Sequence, residues 1–273
     1  TLAGLDVAAI ESDPVAALYA AANASKAKVT CANGLATELP DADAIWLDPA
    51  RRAEDGRRIA SPERWIPPFS RALSLARGFP LAGIKVAPGI AYHALPPRTF
   101  VEWISERGQL LEAVVWLGMG TGRSATIDGE QLDSGAKTAD EPAVFVAPRP
   151  LGHLLFEPDP AIVRSGGIAR LCEKHGLAPV SEGIAYLTGE AVPPHCAAFE
   201  VLDVVAPEAK RIKRSLAAHG IGRTEVKKRG TEVDVAAMAK KLSGRGGDAG
   251  VVLFSPVLGR HRAIVARRTA VTF

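Results

Sequence analysis

Residues 43–52 read Asp-Ala-Ile-Trp-Leu-Asp-Pro-Ala-Arg-Arg. The first half of this stretch is a short apolar run between polar residues, which is typical of a buried β-strand. The run ends at Asp48 and Pro49, so the predicted strand carries a carboxylate to its C-terminal end. Open α/β sheets bind their ligands at that edge. A helix cap would explain Asp48 and Pro49, but it would leave Arg51 and Arg52 unexplained.

A second acidic residue follows the strand predicted at residues 6–10. Glu11 stands where nucleotide-binding α/β folds place a carboxylate that accepts hydrogen bonds from ribose hydroxyls. Alternatively, acids gather here because a helix begins, with Asp13 as its cap and Pro14 in its first turn. This alternative explains Asp13 better than Glu11, and from the residues alone both interpretations stay open.

The first half of the chain alternates short apolar runs with helical patterns, which indicates βαβ units and a parallel sheet. Further strands are predicted at residues 28–31, 43–47, 81–87, 110–117, 123–127 and 143–147. Thr99 and Glu102 match a capping box, which predicts a helix ending at Gly108. Residues 118–122 resemble a nucleotide-binding glycine loop, but no helical pattern follows them, so a hairpin or loop is favoured.

A proline-rich junction at residues 147–151 predicts a boundary between a domain of residues 1–150 and one of residues 151–273. The second domain reads as α+β, and Asp159 begins a helix predicted to reach about His175. The net charge is −3 in the first domain and +6 in the second. Residues 210–245 concentrate the basic side chains, which suits a polyanionic partner or, equally, a solvated helix face.

The order of these features resembles the class I S-adenosylmethionine (SAM) dependent methyltransferases from their second strand onwards. Asp48-Pro49-Ala50-Arg51 is similar to the (Asp/Asn)-Pro-Pro-(aromatic) motif of methyltransferases that act on amino groups. Residues 47–52, 156–164 and 226–230 resemble a bacterial subgroup with a C-terminal THUMP-like domain. The implied fold is α/β, a Rossmann-like class I methyltransferase sheet that is incomplete at its N-terminus, followed by a small α+β THUMP-like domain.

The resemblance also implies a cofactor, SAM, and roles for particular residues. Glu11 would bind the SAM ribose, and Asn33 would lie near the adenine. Asp48 would face the methyl-transfer site, where its carboxylate or the Pro49 carbonyl could hold an amino group. Arg51 stands where the family has an aromatic residue, and a guanidinium can also stack on a base.

The implied activity is methyl transfer to a base in tRNA or rRNA. The basic residues expected to hold the RNA backbone are Lys210, Arg211, Lys213, Arg214, Lys227, Lys228 and Arg229. Two alternatives stay open: an RNA-binding protein that keeps the fold without catalysis, and a methyltransferase for a protein or small molecule. The family's glycine-rich loop after its first strand is absent from the sequence, so we expect the 273-residue chain alone to bind SAM poorly.

Metal and membrane functions are not expected. The three cysteines and six histidines have neither CxxC pairs nor zinc-ligand spacing, and they fit a protein of the reducing cytoplasm. No segment contains the roughly 18 consecutive apolar residues that a membrane span needs.

Overall fold

The computed structural model describes residues 4–52, 55–244 and 247–269. The chain forms two compact units, Thr1–Ile84 and Lys85–Phe273. Within the described ranges, no helix combines the length and apolar character needed to cross a bilayer.

The first unit contains two parallel strand pairs. Its elements are β1 (Ala8–Glu11), α1 (Pro14–Asn23), β2 (Lys28–Cys31), β3 (Ala44–Leu47), α2 (Phe69–Ala76) and β4 (Leu81–Val86). Strand β1 pairs with β2 and strand β3 with β4, and the two pairs belong to separate sheets.

Helix α1 begins where the sequence predicts it. One carboxylate oxygen of Asp13 accepts hydrogen bonds from the Val15 and Ala16 amides, at 2.8 and 2.9 Å, and Pro14 occupies the first turn. The helix buries Ala17, but Leu18 remains 72% exposed and Tyr19 is also exposed. An apolar face of α1 therefore remains uncovered by the described residues.

The core of the first unit lies around α2. Trp65 and Phe69 are buried and pack edge to face, with ring centroids 6.0 Å apart. The Trp65 indole donates to the Ile59 carbonyl at 3.0 Å. A 3₁₀ turn at Pro62–Arg64 precedes the helix. Burial in this unit is therefore concentrated around α2 rather than α1.

The second unit begins with four strands, in the order β6-β5-β7-β8. They are β5 (Phe100–Glu106), β6 (Gln109–Leu117), β7 (Gly122–Ile127) and β8 (Glu130–Asp133). Strand β5 pairs with β6 in antiparallel and with β7 in parallel orientation. The predicted strands at residues 110–117 and 123–127 are confirmed, whereas residues 143–147 form no strand.

The helix predicted from the Thr99–Glu102 capping box is wrong, because this segment is strand β5. Val101, Trp103 and Ser105 are all buried, so the two-residue period of a strand outweighed the capping pattern. The Thr99 hydroxyl donates to the Pro96 carbonyl instead of capping a helix. Residues 118–122 lead directly into β7 without a helix, as predicted.

A seven-stranded sheet follows, in the order β10-β11-β9-β12-β15-β14-β13. Its strands are β9 (Leu154–Pro158), β10 (Ala178–Pro179), β11 (Leu187–Thr188), β12 (Cys196–Val205), β13 (Ile221–Lys228), β14 (Asp248–Val257) and β15 (Arg260–Arg268). Strands β13 and β14 are parallel, and the other neighbours are antiparallel. Helices α5 (Ala209–Ala218) and α6 (Val235–Leu242) pack on one face, and a second apolar cluster with Tyr186 and Phe199 lies on the other.

The helix predicted from Asp159 to about His175 is two helices, α3 (Pro160–Ser165) and α4 (Ile168–His175). Gly166 ends α3 with a left-handed backbone, at φ +80°. Asp159 caps α3 by accepting from the Ala161 amide at 2.8 Å, and it also accepts from the Ser105 hydroxyl at 2.7 Å. Because Ser105 lies on β5, this buried carboxylate fixes α3 against that strand.

We predict that Gly166→Ala destabilises the protein more than Gly176→Ala, although both glycines end helices with positive φ. The left-handed conformation costs either alanine about 1–2 kcal/mol. At Gly166 the new Cβ would also lie 3.0 Å from a guanidinium nitrogen of Arg123, whereas nothing described lies within 4 Å at Gly176. Overpacking should add about 1–3 kcal/mol at Gly166. Urea unfolding measures both, and equal losses would contradict the packing around Arg123.

Candidate functional site

Two of the predicted cofactor residues lie at the same edge of one sheet. Glu11 ends β1 directly opposite Cys31, which ends β2, and the Ala32 amide donates to the Glu11 carbonyl at 2.9 Å. Asn33 follows two residues after Cys31. Because the strands are parallel, Glu11 and Asn33 both lie at their C-terminal ends.

Local hydrogen bonds hold both side chains. Oε1 of Glu11 accepts from the Asp13 amide at 2.8 Å and from the Ser12 hydroxyl at 3.3 Å. Oδ1 of Asn33 accepts from the Leu35 amide at 3.0 Å. Within the described ranges, Oε2 of Glu11 and the Asn33 amide nitrogen have no hydrogen bond. One acceptor and one donor group are therefore available at this edge.

Asp48 lies at the C-terminal end of β3, in the other strand pair. Pro49 is buried, and Ala50 exchanges two backbone hydrogen bonds with Ile66, at 2.7 and 3.1 Å. The Arg51 carbonyl accepts from the Ile59 amide at 2.8 Å. This pairing fixes the turn that carries Asp48, whose side chain is exposed. Strand β3 belongs to a different sheet from β1 and β2.

Helix α5 carries the most exposed part of the predicted RNA surface. Lys210, Lys213 and Arg214 are three and four residues apart, so they share one face of the helix, and all three are exposed. Ile212 on the opposite face is buried in the core. Arg211 forms an ion pair with Glu208 at 3.1 Å. We call Lys210, Lys213 and Arg214 the α5 cation row.

Lys227 and Arg229 are less available than the α5 cation row. Both form ion pairs with Glu157, at 2.8 and 3.5 Å, and their side chains are largely buried. The Arg229 guanidinium also lies 5.0 Å from the Tyr186 ring centroid. Lys228 is exposed. Arg245, at the end of the basic stretch, lies outside the described residues.

These ion pairs reveal the shape of the seven-stranded sheet. Glu157 is on β9 and Lys227 on β13, with three strands between them. In a flat sheet four inter-strand steps would separate them by about 19 Å, which is too far for a direct contact. The sheet is therefore strongly curled, and Glu157 closes its concave face. The sequence gives no signal of this contact, since the partners are 70 residues apart.

Tyr186 lies beneath the same ion pairs and is fully buried. Burial raises the pKa of its hydroxyl, the negative charge of Glu157 raises it further, and Arg229 opposes the shift. The hydroxyl therefore stays neutral at physiological pH, which is consistent with a structural role for Tyr186 in the concave face.

A groove of about 600 Å³ lies in the second unit, lined by the β7–β8 hairpin, α3 and α4. At its rim, Nε2 of His195 lies 3.2 Å from a carboxylate oxygen of Glu130. The groove is lined by residues distant in sequence from the three predicted cofactor residues. None of the expected site residues lines it.

The fold defines a class: parallel strand pairs with polar residues at their C-terminal ends, followed by a curled α+β domain. Residues 196–268 match the family described as THUMP domain-like. A protein of Porphyromonas gingivalis W83 with a provisional methyltransferase assignment has a similar crystal structure, with a TM-score of 0.72 and 13% identity. That similarity covers 97% of this chain and 71% of the other, and it shows the fold.

Two sequence relatives agree with the fold. They are described as uncharacterized SAM-dependent methyltransferases, from Mycobacterium tuberculosis strains CDC 1551 and H37Rv. Each is 34% identical to this chain over 209 residues, which is 74% of this chain and 57% of the relative. The match therefore spans little more than half of the relatives' length. The expected recognition is confirmed: the chain has a methyltransferase fold, relatives described as SAM-dependent methyltransferases, and a C-terminal THUMP-like domain.

The described residues include no group of three or more His, Cys, Asp or Glu side chains placed to hold a metal. The three cysteines are free thiols. Cys31 is exposed, and Cys172 and Cys196 are buried. Burial raises the pKa of Cys172 to about 11 and that of Cys196 to about 12.

We predict that only Cys31 reacts quickly with a thiol reagent in the folded protein at pH 8. The thiolate is the reacting form. At pH 8 a pKa near 11 leaves roughly one Cys172 in a thousand ionised, and burial also blocks access. A DTNB time course should give one fast equivalent, and two more after urea is added. Three fast equivalents without urea would contradict the burial of Cys172 and Cys196.

Proposed function

We propose that the protein is a SAM-dependent methyltransferase that acts on a base in RNA. The observation that carries the proposal is that Glu11 ends β1 and Asn33 follows its parallel partner β2, and that Asp48 follows β3, which is parallel to β4, so each lies at the C-terminal end of a strand with a parallel partner. That is the edge where open α/β sheets bind ligands. The relatives described as SAM-dependent methyltransferases support the cofactor.

The polar groups at the strand ends fit SAM. Oε2 of Glu11 is an anionic acceptor for ribose hydroxyls, and the Asn33 amide nitrogen is a donor suited to an adenine nitrogen. SAM supplies an electrophilic methyl group on its sulfonium. Asp48 and the Pro49 carbonyl would accept hydrogen bonds from the target amino group and aim its lone pair. Orientation supplies much of the rate in such an in-line displacement.

RNA is proposed as the substrate because of the basic THUMP-like domain. The α5 cation row is exposed, and Lys210, Lys213 and Arg214 have no ion pair within the described part of the chain. Phosphate contacts by such residues position a nucleic acid without reading its sequence. We propose that the row holds the RNA backbone while the Asp48 turn meets the base. Arg51, which follows that turn, would stack on the base.

The proposed domain boundary near residue 150 rests on sheet membership. Strands β5 to β8 belong to one sheet and β9 to β15 to another, and residues 134–153 between them form no strand. We propose that residues 1–150 carry catalysis and residues 151–273 present the RNA. Tertiary contacts such as Ser105 with Asp159 then fix the two parts to each other.

Methyl transfer tests the function directly. The whole protein is incubated with SAM carrying a tritiated methyl group and with RNA from cells lacking the protein. The label should enter RNA and become soluble after ribonuclease treatment. Asp48→Asn should lower the rate at least tenfold, and Asp43→Asn, at the opposite end of β3, should not. Label entering protein or a small molecule would overturn the RNA proposal, and no transfer despite bound SAM would overturn catalysis.

We predict that Glu11→Ala weakens SAM binding by the whole protein about tenfold or more. A hydrogen bond to a charged group contributes roughly 1.5–3 kcal/mol. Glu11→Gln keeps an acceptor for the Asp13 amide and should lose less. Asp6→Ala, just before β1, is the matched control and should bind normally. Calorimetry measures all three variants, and unchanged affinity in Glu11→Ala would exclude Glu11 from the site.

We predict that replacing all three residues of the α5 cation row by Glu weakens RNA binding. The affinity for RNA should also depend less on the salt concentration. Three lost phosphate contacts should reduce the slope of log K against log salt by roughly two for single-stranded RNA. The control reverses Lys174, Arg260 and Arg98, three exposed cations outside α5 with the same total change in charge. Filter binding at several salt concentrations distinguishes the two sets. An equal loss in both would mean that net charge, rather than the α5 cation row, controls binding.

A further inference from the structure

Residues 142–148 belong to no helix or strand. The sequence predicted a strand at residues 143–147, yet within the described residues no hydrogen bond involves the backbone of residues 142–148. Val144 is 63% exposed and Phe145 is 66% exposed. An exposed apolar strand with unpaired backbone groups is a template for pairing with another chain.

The sequence of this segment is the same in both directions. It reads Pro142-Ala-Val-Phe-Val-Ala-Pro148, with Phe145 at its centre. Opposite charges, Glu141 and Arg149, flank it. In a two-fold symmetric dimer every contact occurs twice, so the interface must be self-complementary. A palindromic strand with opposite charges at its ends meets that requirement in one register.

We propose that residues 143–147 pair in antiparallel orientation with the same residues of a second copy of the chain, with the two-fold axis at Phe145. Ala143 then faces Ala147 of the other copy, and Val144 faces Val146. The two Phe145 rings meet at the axis, and aromatic cross-strand pairs are favourable.

The flanking residues favour this register. Glu141 of each copy faces Arg149 of the other, which gives two opposite-charge pairs. One carboxylate oxygen of Glu141 accepts from the Lys137 amide at 2.7 Å, and one Arg149 nitrogen donates to the Gly176 carbonyl at 2.5 Å, so each side chain keeps other polar atoms for the second copy. Pro142 and Pro148 lack an N–H, so the pairing ends after five residues and does not extend into a fibre.

Both ends of the segment are held in place. The buried Arg123 guanidinium donates to the Glu141 carbonyl at 2.6 Å, and the Arg149 amide donates to the Pro179 carbonyl at 3.0 Å. A strand fixed at both ends loses little conformational entropy on pairing. Five paired residues bury less area than the roughly 1,200 Å² of a standard interface, so the dimer should be weak, with a Kd of roughly 10–1,000 μM.

Disulfide cross-linking tests the register, in a Cys31→Ser background that removes the exposed thiol. Facing Cα atoms in antiparallel strands are about 4.5–5.5 Å apart, within the range that a disulfide spans. Phe145→Cys should therefore cross-link to itself. Neither Ala143→Cys nor Ala147→Cys should cross-link to itself. In this register the same residue in the two copies is about 13 Å apart along the strands. A mixture of Ala143→Cys with Ala147→Cys should cross-link.

Sedimentation equilibrium provides the second test. The 273-residue chain should dimerise at several hundred micromolar, and Phe145→Asp should make it monomeric. Val192→Asp, at a residue of similar exposure outside the segment, should leave the dimer intact. A monomer at all concentrations would overturn the proposal. Cross-linking of Ala143→Cys alone as fast as Phe145→Cys, or open-ended assembly, would also overturn it.

Discussion

A buried positive charge connects β7, the chain after it and the end of α3. Arg123 is 2% exposed, and its guanidinium lies 3.9 Å from the centre of the Tyr92 ring. It donates to the carbonyls of Ala139 and Glu141, and burial lowers its pKa while the neighbouring acidic groups oppose that shift. A buried cation is costly unless its donors are paired; here one terminal nitrogen donates to both carbonyls, whereas Nε has no hydrogen-bond partner within the described residues. The strand β7, the chain after it and the end of α3 at Gly166 are therefore fixed around this residue.

Two further hydrogen bonds hold α3 in place. Tyr92 donates to the Arg164 carbonyl at 2.8 Å, and Asp159 bonds both α3 and Ser105. The curled sheet, closed by Glu157, then presents the α5 cation row on its outer helices. In residues 4–84, by contrast, the strand pairs belong to separate sheets and α1 keeps an apolar exposed face. The candidate cofactor residues lie in this less buried unit.

Local signals in the sequence predicted most elements. Asp13-Pro14 and Asp159-Pro160 mark helix starts because a capping carboxylate and a proline act on neighbouring residues. The Thr99–Glu102 pattern failed because alternate burial of Val101 and Trp103 decided the segment. Long-range contacts, such as Arg123 with Tyr92 or Lys227 with Glu157, leave no local pattern. For the same reason the sequence predicted that Glu11 and Asp48 lie at strand ends, but it did not predict the distance between them.

Hydrogen exchange with and without SAM, on the whole protein, shows whether the cofactor binds at the strand ends of the first unit, through Glu11, Asn33 and the Asp48 turn. SAM should slow exchange at residues 9–13, 31–35 and 47–50 and leave the strands of the seven-stranded sheet unchanged. Protection confined to residues 85–273, with no change at these three segments, would contradict the account.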